Sequence, residues 1–270
     1  MSADETALEP PAAPQTAAAP FARLMVRPTL LLVAGYVIST SLHELAHALA
    51  ALWLGVPSTL FHSHVAVDLP AQTPYVQGFV RAAGPIFSLV LGVLCWFTHR
   101  AMRGWWLEAP LFYVAVFGVA NFLGNTFAVP WLGDFSGIAD SLGLSPNVRY
   151  AIAGVGGFLL AGFAFDIGRE LREWAPPGVG AIKGTAVAVA GPALAGTALL
   201  TLIYQPLAPG AAEPRLVEAA FWIFATLGAL VGSVRAPRAD VLPERRVDWL
   251  YALLAVLVLR VIALGIPFVP

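Results

Sequence analysis

Apolar residues run along this chain in long unbroken stretches, separated by short joints rich in Gly, Pro and charged residues. Stretches of about 20 residues fall at about 29–53, 80–98, 109–129, 149–166, 184–204, 216–234 and 247–266. None alternates with the period of two that a lipid-facing barrel strand needs, so each predicts a helix whose backbone hydrogen bonds close within itself. The pattern predicts an all-α membrane protein, a polytopic bundle of about 6–7 transmembrane helices. One segment departs from it. Between the first two runs, FHSHVAVDLP alternates apolar and polar positions and predicts a short β-rich excursion, a strand or hairpin, after the first span.

The opening MSADETALEPPAAPQTAAAP has neither the basic leader nor the apolar core of a secretory signal, and residues 1–27 are expected to form a disordered Ala/Pro-rich tail. Two segments echo each other, AAGPIFSLVLGVL from Ala82 and VAGPALAGTALL from Val189. Gly-Pro near the start of a span is ordinary helix punctuation, and the second copy is expected to be no more than that.

Composition agrees with the pattern. Hydrophobic residues make up 59%, charged residues 11% and the mean hydropathy is +0.77, so lipid is the solvent for most of the chain and the cell membrane its expected place. The net charge is −1 and no basic block is present to neutralise a run of phosphates, which argues against a nucleic-acid partner. The single cysteine, Cys95, excludes an internal disulfide and a thiolate metal cluster. Between the spans, Arg23, Arg27, Arg100, Arg103, Arg169, Arg172, Lys183, Arg235, Arg238, Arg245 and Arg246 fall on one side. Arg81, Arg149 and Arg215 fall on the other. That bias predicts a cytoplasmic N-terminus and an outside C-terminus. Asp166 beside Arg169, and Arg260 in the last span, read as interfacial anchors.

The first span contains TSLHELAHALAALWLG. On a helix His43 and His47, four residues apart, project from one face and can grip one metal ion. Glu44 neighbours the first histidine without taking a ligand position, where a zincin needs the carboxylate that deprotonates water. Each charged group near the bilayer centre costs about 2.5–3.5 kcal/mol on insertion scales, so three ionisable residues here point to function. The plain alternative is a polar helix-packing cluster without metal.

These residues resemble the site-2 protease family of intramembrane zinc metalloproteases. HELAHALAALWLGV, His43 to Val56, is similar to the family's first motif; RAAGPIFSLVLGV from Arg81 is similar to its Gly-Pro motif at Gly84 and Pro85, with Ser88 where many members carry Asn. NTFAVPWLGDFSG, Asn125 to Gly137, resembles the third motif, although many members read Leu-Asp-Gly where this chain reads Leu-Gly-Asp. The resemblance covers about residues 29–145. It implies a metalloprotease core at 28–145, followed by additional transmembrane helices at 146–270. It implies Zn²⁺ as cofactor, His43, His47 and Asp134 as ligands, Glu44 as the catalytic base, Gly84, Pro85 and Asn125 as supporting residues, and a membrane-anchored protein as substrate. It also implies that the β-rich excursion presents substrate as an added strand. The alternative to a zinc metalloendopeptidase is a non-proteolytic zinc-binding scaffold or transporter of the same fold.

Span alternation supports Asp134 over its rivals. Asp166 ends the fourth span on the opposite side, and Asp140 lies six residues further on, in a short helix that DFSGIADSLGL suggests. A straight third helix would carry Asp134 about 9–15 Å past the histidines, which predicts a break near Pro130. The Lys/Arg bias places His43 in the outer half of the membrane, whereas the family resemblance implies a site toward the cytoplasmic side. For His62 and His64, two apart in the excursion, a second metal site and a hydrated interfacial pair both fit the sequence.

Overall fold

A computed structural model describes residues 21–175, 179–204, 215–232, 246–262 and 264–270, so the opening 20 residues lie outside the described part. Helix α1 spans Phe21–Trp53, α2 Pro74–Ala101, α3 Glu108–Ala128, α4 Asp134–Ser141 and α5 Pro146–Glu173. Then follow α6 Ala181–Thr185, a π-helical turn Ala186–Ala190, α7 Gly191–Ile203, α8 Arg215–Gly232 and α9 Arg246–Ile262. Strands β1 Ser58–Leu60, β2 Val65–Val67 and β3 Ile266–Phe268 complete the chain. Among the described residues, five helices are long and apolar enough to cross a membrane: Leu24–Trp53, Pro74–Ala101, Glu108–Ala128, Pro146–Glu173 and Ala181–Ile203.

Helix limits follow local chemistry. Residues 21–27, expected in the tail, already belong to α1, because FARLMVR is apolar and Pro28 falls inside the helix rather than before it. Pro28 leaves the Leu24 carbonyl without its helical donor, and one residue on Thr29 Oγ1 donates to the Met25 carbonyl at 2.8 Å. Helix α2 begins at Pro74, with the Thr73 side chain accepting from Val76 N–H. The Gly84–Pro85 pair therefore sits inside a helix rather than at its start. The Gly191–Pro192 pair also lies within a span, where the Gly191 N–H reaches back to the Ala186 carbonyl and the preceding turn widens to π geometry.

The core gathers Leu31, Leu32 and Val37 of α1, Phe112, Tyr113 and Val116 of α3, Leu160, Ile167 and Leu171 of α5, and Phe221 and Ala225 of α8. Helices α7 and α9 lie along α1 and close its far side. Exposed Phe97, Phe158 and Leu194 face outward, as lipid contact requires. Glycines set the closest crossings. A Cβ at Gly118 would lie 2.6 Å from the Ser88 carbonyl oxygen, fixing α3 against α2; Cβ atoms at Gly168 and Gly228 would overlap the backbone carbonyls of Ala225 and Phe165, fixing α5 against α8.

The excursion is a hairpin that runs back along α1 into the bundle. Val56 packs with Ala50 and Ala51, and Leu60 packs with Ala48 and Leu45, one and two turns further toward the histidines. At its tip the His62 ring lies 5.5 Å from that of Tyr204, and Tyr204 lies 6.0 Å from that of Tyr36 on α1. The sheet order is β2-β1-β3, both pairs antiparallel, so residues 266–268 at the far end of the chain return to β1. The Phe61 N–H donates to His64 C=O, which aims the backbone of odd-numbered residues on β1 at β2 and of Ser58 and Leu60 at β3. Pro267, opposite Thr59, thus turns the side lacking an N–H outward, whereas Val65 and Val67 turn their N–H groups outward from β2.

In an open helix Gly→Ala is favourable by about 1 kcal/mol. At Gly168 the sign reverses, because the methyl must push α8 away. Gly168→Ala is expected to destabilise the protein by about 1–3 kcal/mol in detergent while leaving metal content unchanged, measured by thermal unfolding and elemental analysis.

Candidate metal centre

One helical turn sets His43 and His47 on the same face of α1, both buried, with Nε2 atoms 3.1 Å apart. Helix α3 ends at Ala128, the chain turns through Val129–Gly133, and α4 starts at Asp134, so the expected break around Pro130 is present. Asp134 Oδ2 comes to 3.2 Å from His43 Nε2 and 3.4 Å from His47 Nε2. Among the described residues, these three form the group able to hold a metal ion. Two imidazole nitrogens and a carboxylate oxygen this close need a shared cation, a proton or a metal ion, between them.

The remaining ring nitrogens are fixed by α2. With Nε2 free to ligate, His47 Nδ1 donates to the Val80 carbonyl at 2.6 Å and His43 Nδ1 donates to Ser88 Oγ at 3.1 Å. Such partners set tautomer and ring angle together. Ser88 is 1% exposed, so its hydroxyl is committed to this task rather than to solvent. Gly84 lies between them. A Cβ there would stand 2.7 Å from His43 Nε2 and would overlap His47 Nε2, so the helix can approach the imidazoles only where no side chain intervenes. Pro85 is fully buried one residue on and withholds an N–H from the Arg81 carbonyl, loosening α2 at this turn.

Asn125 has a definite part. Its Oδ1 accepts from the Asp134 backbone N–H at 3.0 Å, while its Nδ2 donates to the Asn121 carbonyl at 3.2 Å. Gly133 makes this possible with φ 91°, and a Cβ there would meet Asn125 Oδ1 at 2.7 Å. The Leu-Gly-Asp order therefore works because glycine takes the left-handed turn and the aspartate opens the next helix. Burial alone would raise the Asp134 pKa, but hydrogen bonding and charge from His43 and His47 outweigh it and hold the carboxyl below the usual range.

Glu44 is partly exposed beside the pair and lies within electrostatic reach of His43, His47 and Asp134 without joining the ligand triangle. The rival carboxylates are elsewhere. Asp140 is 66% exposed and pairs with Arg149 at 2.6 Å, and Asp166 pairs with Arg169 at 3.4 Å as an exposed couple. His62 and His64 sit in the hairpin turn, not on one strand face. His62 is buried with Nε2 3.3 Å from the Tyr204 carbonyl, and His64 stacks on Phe61 at 5.1 Å, its pKa lowered by burial and by His62. No third ligand joins them among the described residues, and His62 is buried while His64 is partly exposed. Arg260 has no described side chain.

Sequence reasoning did not find the Val80 carbonyl, since every residue offers one, nor the contact of Ser88 with His43. No protein-family model, curated protein or solved structure matches this chain.

Gly84→Ala is expected to abolish metal retention although alanine favours a helix, because its methyl occupies the imidazole site. Asn125→Ala should weaken metal binding about 10–100-fold by freeing the Asp134 turn. Metal content and competition with a chelator measure both; retention of wild-type affinity by Gly84→Ala would contradict the packing described.

Proposed function

We propose that this chain is an intramembrane zinc-dependent endopeptidase, similar to the site-2 protease family, that hydrolyses peptide bonds of membrane-anchored substrates. The carrying observation is the ligand triangle with sides of 3.1, 3.2 and 3.4 Å. Zinc bonds of about 2.0–2.1 Å in tetrahedral array require ligand separations of about 3.3–3.4 Å, so the triangle fits one face of that tetrahedron. Two imidazoles and one carboxylate leave the fourth position open, as a catalytic site needs. A zinc ion held there supplies a Lewis acid that polarises a peptide carbonyl and acidifies water. Glu44 takes the proton from the attacking water and delivers it to the amine nitrogen as the C–N bond breaks. Ser88, Val80 and Asn125 hold the ligands still during that exchange.

A helix cannot be cut until its peptide bond is exposed, and the hairpin offers a means. No strand among the described residues pairs with the outer edge of β2, where Val65 and Val67 present their N–H groups. An extended substrate segment satisfies such an edge by pairing with it. Parity supports an odd total: β3, after α9, pairs with β1, after α1, and only an even number of crossings between them returns the chain to the same side. Helices α2, α3, α5 and the Ala181–Ile203 span supply four, and α8 with α9 would make six.

Glu44→Gln is expected to retain zinc and lose hydrolysis by about 10²–10⁴-fold, since the amide keeps the shape and lacks the base. Cleavage of a membrane-anchored model substrate by purified protein, with zinc content measured alongside, tests this. Zinc-loaded wild type without cleavage would favour a non-proteolytic scaffold. Val65→Pro should preserve zinc and the β1 pairing but lower turnover about tenfold, by removing one outward N–H from the docking edge.

A further inference from the structure

Among the residues whose side chains are described, the buried and half-buried arginines other than Arg81 have partners, while Arg103 and Lys183 are exposed. Arg149 pairs with Asp140, Arg169 with Asp166 and Arg100 with Glu170, and the Arg172 guanidinium donates to the Val179 carbonyl at 3.0 Å. Arg81 is different. Its side chain is half-buried, its Nε is sealed from solvent without a hydrogen-bond partner, and no carboxylate among the described residues pairs with it. A charge left unmatched within an apolar bundle is costly and marks a binding function more often than a packing one.

Its position is set by two helices. Arg81 precedes Gly84 by three residues, about 4.5 Å along α2 from the turn that touches both imidazoles. Its guanidinium crosses α4 at Gly137, likewise three residues from Asp134; a Cβ at Gly137 would overlap the guanidinium and stand 2.9 Å from Arg81 Cδ. Glycine in the middle of a short helix is unfavourable by about 1 kcal/mol against alanine. Here it leaves the channel in which the arginine lies. The arginine is thus held one turn from the ligand triangle, toward the membrane face from which α2 and the hairpin enter.

We infer that Arg81 is an anion anchor that selects substrate segments bearing a carboxylate side chain one or two residues from the cleaved bond. An extended peptide advances about 3.3 Å per residue, so one or two residues bracket the one helical turn, about 4.5 Å, that separates Arg81 from Gly84 along α2. A carboxylate meets the planar guanidinium with two parallel hydrogen bonds and removes its unmatched charge, whereas an amide of the same shape does not. The inference rests on the peptidase reading of the same site and names the substrate chemistry it favours. Arg81 would touch substrate rather than metal, so metal retention is independent of it.

The test uses full-length zinc-loaded Glu44→Gln protein in detergent, titrated with two fluorescent apolar peptides of about twenty residues, identical except for a central Glu or Gln in an extended Val/Thr segment. The Glu peptide is expected to bind about tenfold more tightly. Added Arg81→Gln should bring the ratio to about one, Arg81→Lys should restore part of it, and Arg81→Glu should favour a Lys peptide, all with unchanged zinc content. Equal binding of the two peptides, or a preference that survives Arg81→Gln, overturns the assignment and leaves the peptidase reading in place. Binding of neither peptide overturns both. If Arg81→Gln fails to retain zinc, the Glu/Gln ratio of Arg81→Lys decides, and a ratio equal to that of the parent protein overturns the anchor because the bidentate geometry is gone.

Discussion

At Gly84 the backbone of α2 lies against both imidazoles of α1, and the rest of the site is organised around that contact. Any side chain there would displace the rings. With none present, α2 comes near enough for its Val80 carbonyl and Ser88 hydroxyl to hold the outer nitrogens. The approach of α3 to α2 at Gly118 then brings the end of α3 within reach, and the Gly133 turn delivers Asp134 to the same point. Each contact is between backbones or short side chains, which suits a membrane interior where packing rather than water expulsion joins helices. The three ligand atoms gather because small residues let three helices meet there.

Much of this was legible in the sequence because membrane constraints are strong. Continuous apolar runs could only be helices, and HELAH set in one of them placed two histidines on one face and Glu44 beside them by helical spacing alone. Asp134 was suggested by the resemblance of its segment to a family motif, and the side on which the third span ends and the helix-breaking Pro130 separated it from Asp140 and Asp166. Helix limits were less legible. The true start of α2 at Pro74 lies in a polar segment, QTPYVQG, whose capping by Thr73 carries more weight than its hydropathy. Residues 21–27 join α1 although they were expected in the tail, because Pro28 lies inside the helix without ending it.

Contacts between distant segments were not legible at all. Ser88 could be seen to differ from the usual Asn, but its hydrogen bond to His43 depends on the depth at which α2 crosses α1. Arg81 entered the sequence reading only as one positive charge among those used to orient the spans. Its significance lies in Gly137, fifty-odd residues away, and no local pattern links the two. The return of Ile266–Phe268 to β1 was equally hidden, since IPF after a long apolar run reads as the tail of a helix. It depends on α9 packing along α1.

The hairpin shows how a membrane protein can keep strands within its helices without leaving every edge open. Lipid cannot satisfy a backbone N–H, so a buried sheet must cover its edges, close on itself or face water or a partner. Here the β1 edge is covered by β3, and β3 turns Pro267 outward, where no N–H exists to be satisfied. The opposite edge has no such protection. Val65 and Val67 present N–H groups on the flank of β2, and Val67 and Leu69 pack toward Val76, Phe79 and Val80 of α2. The same α2 turn, through Val80, holds His47. One side of the sheet is therefore blunted, and the other is directed at the helix whose backbone lies against both imidazoles.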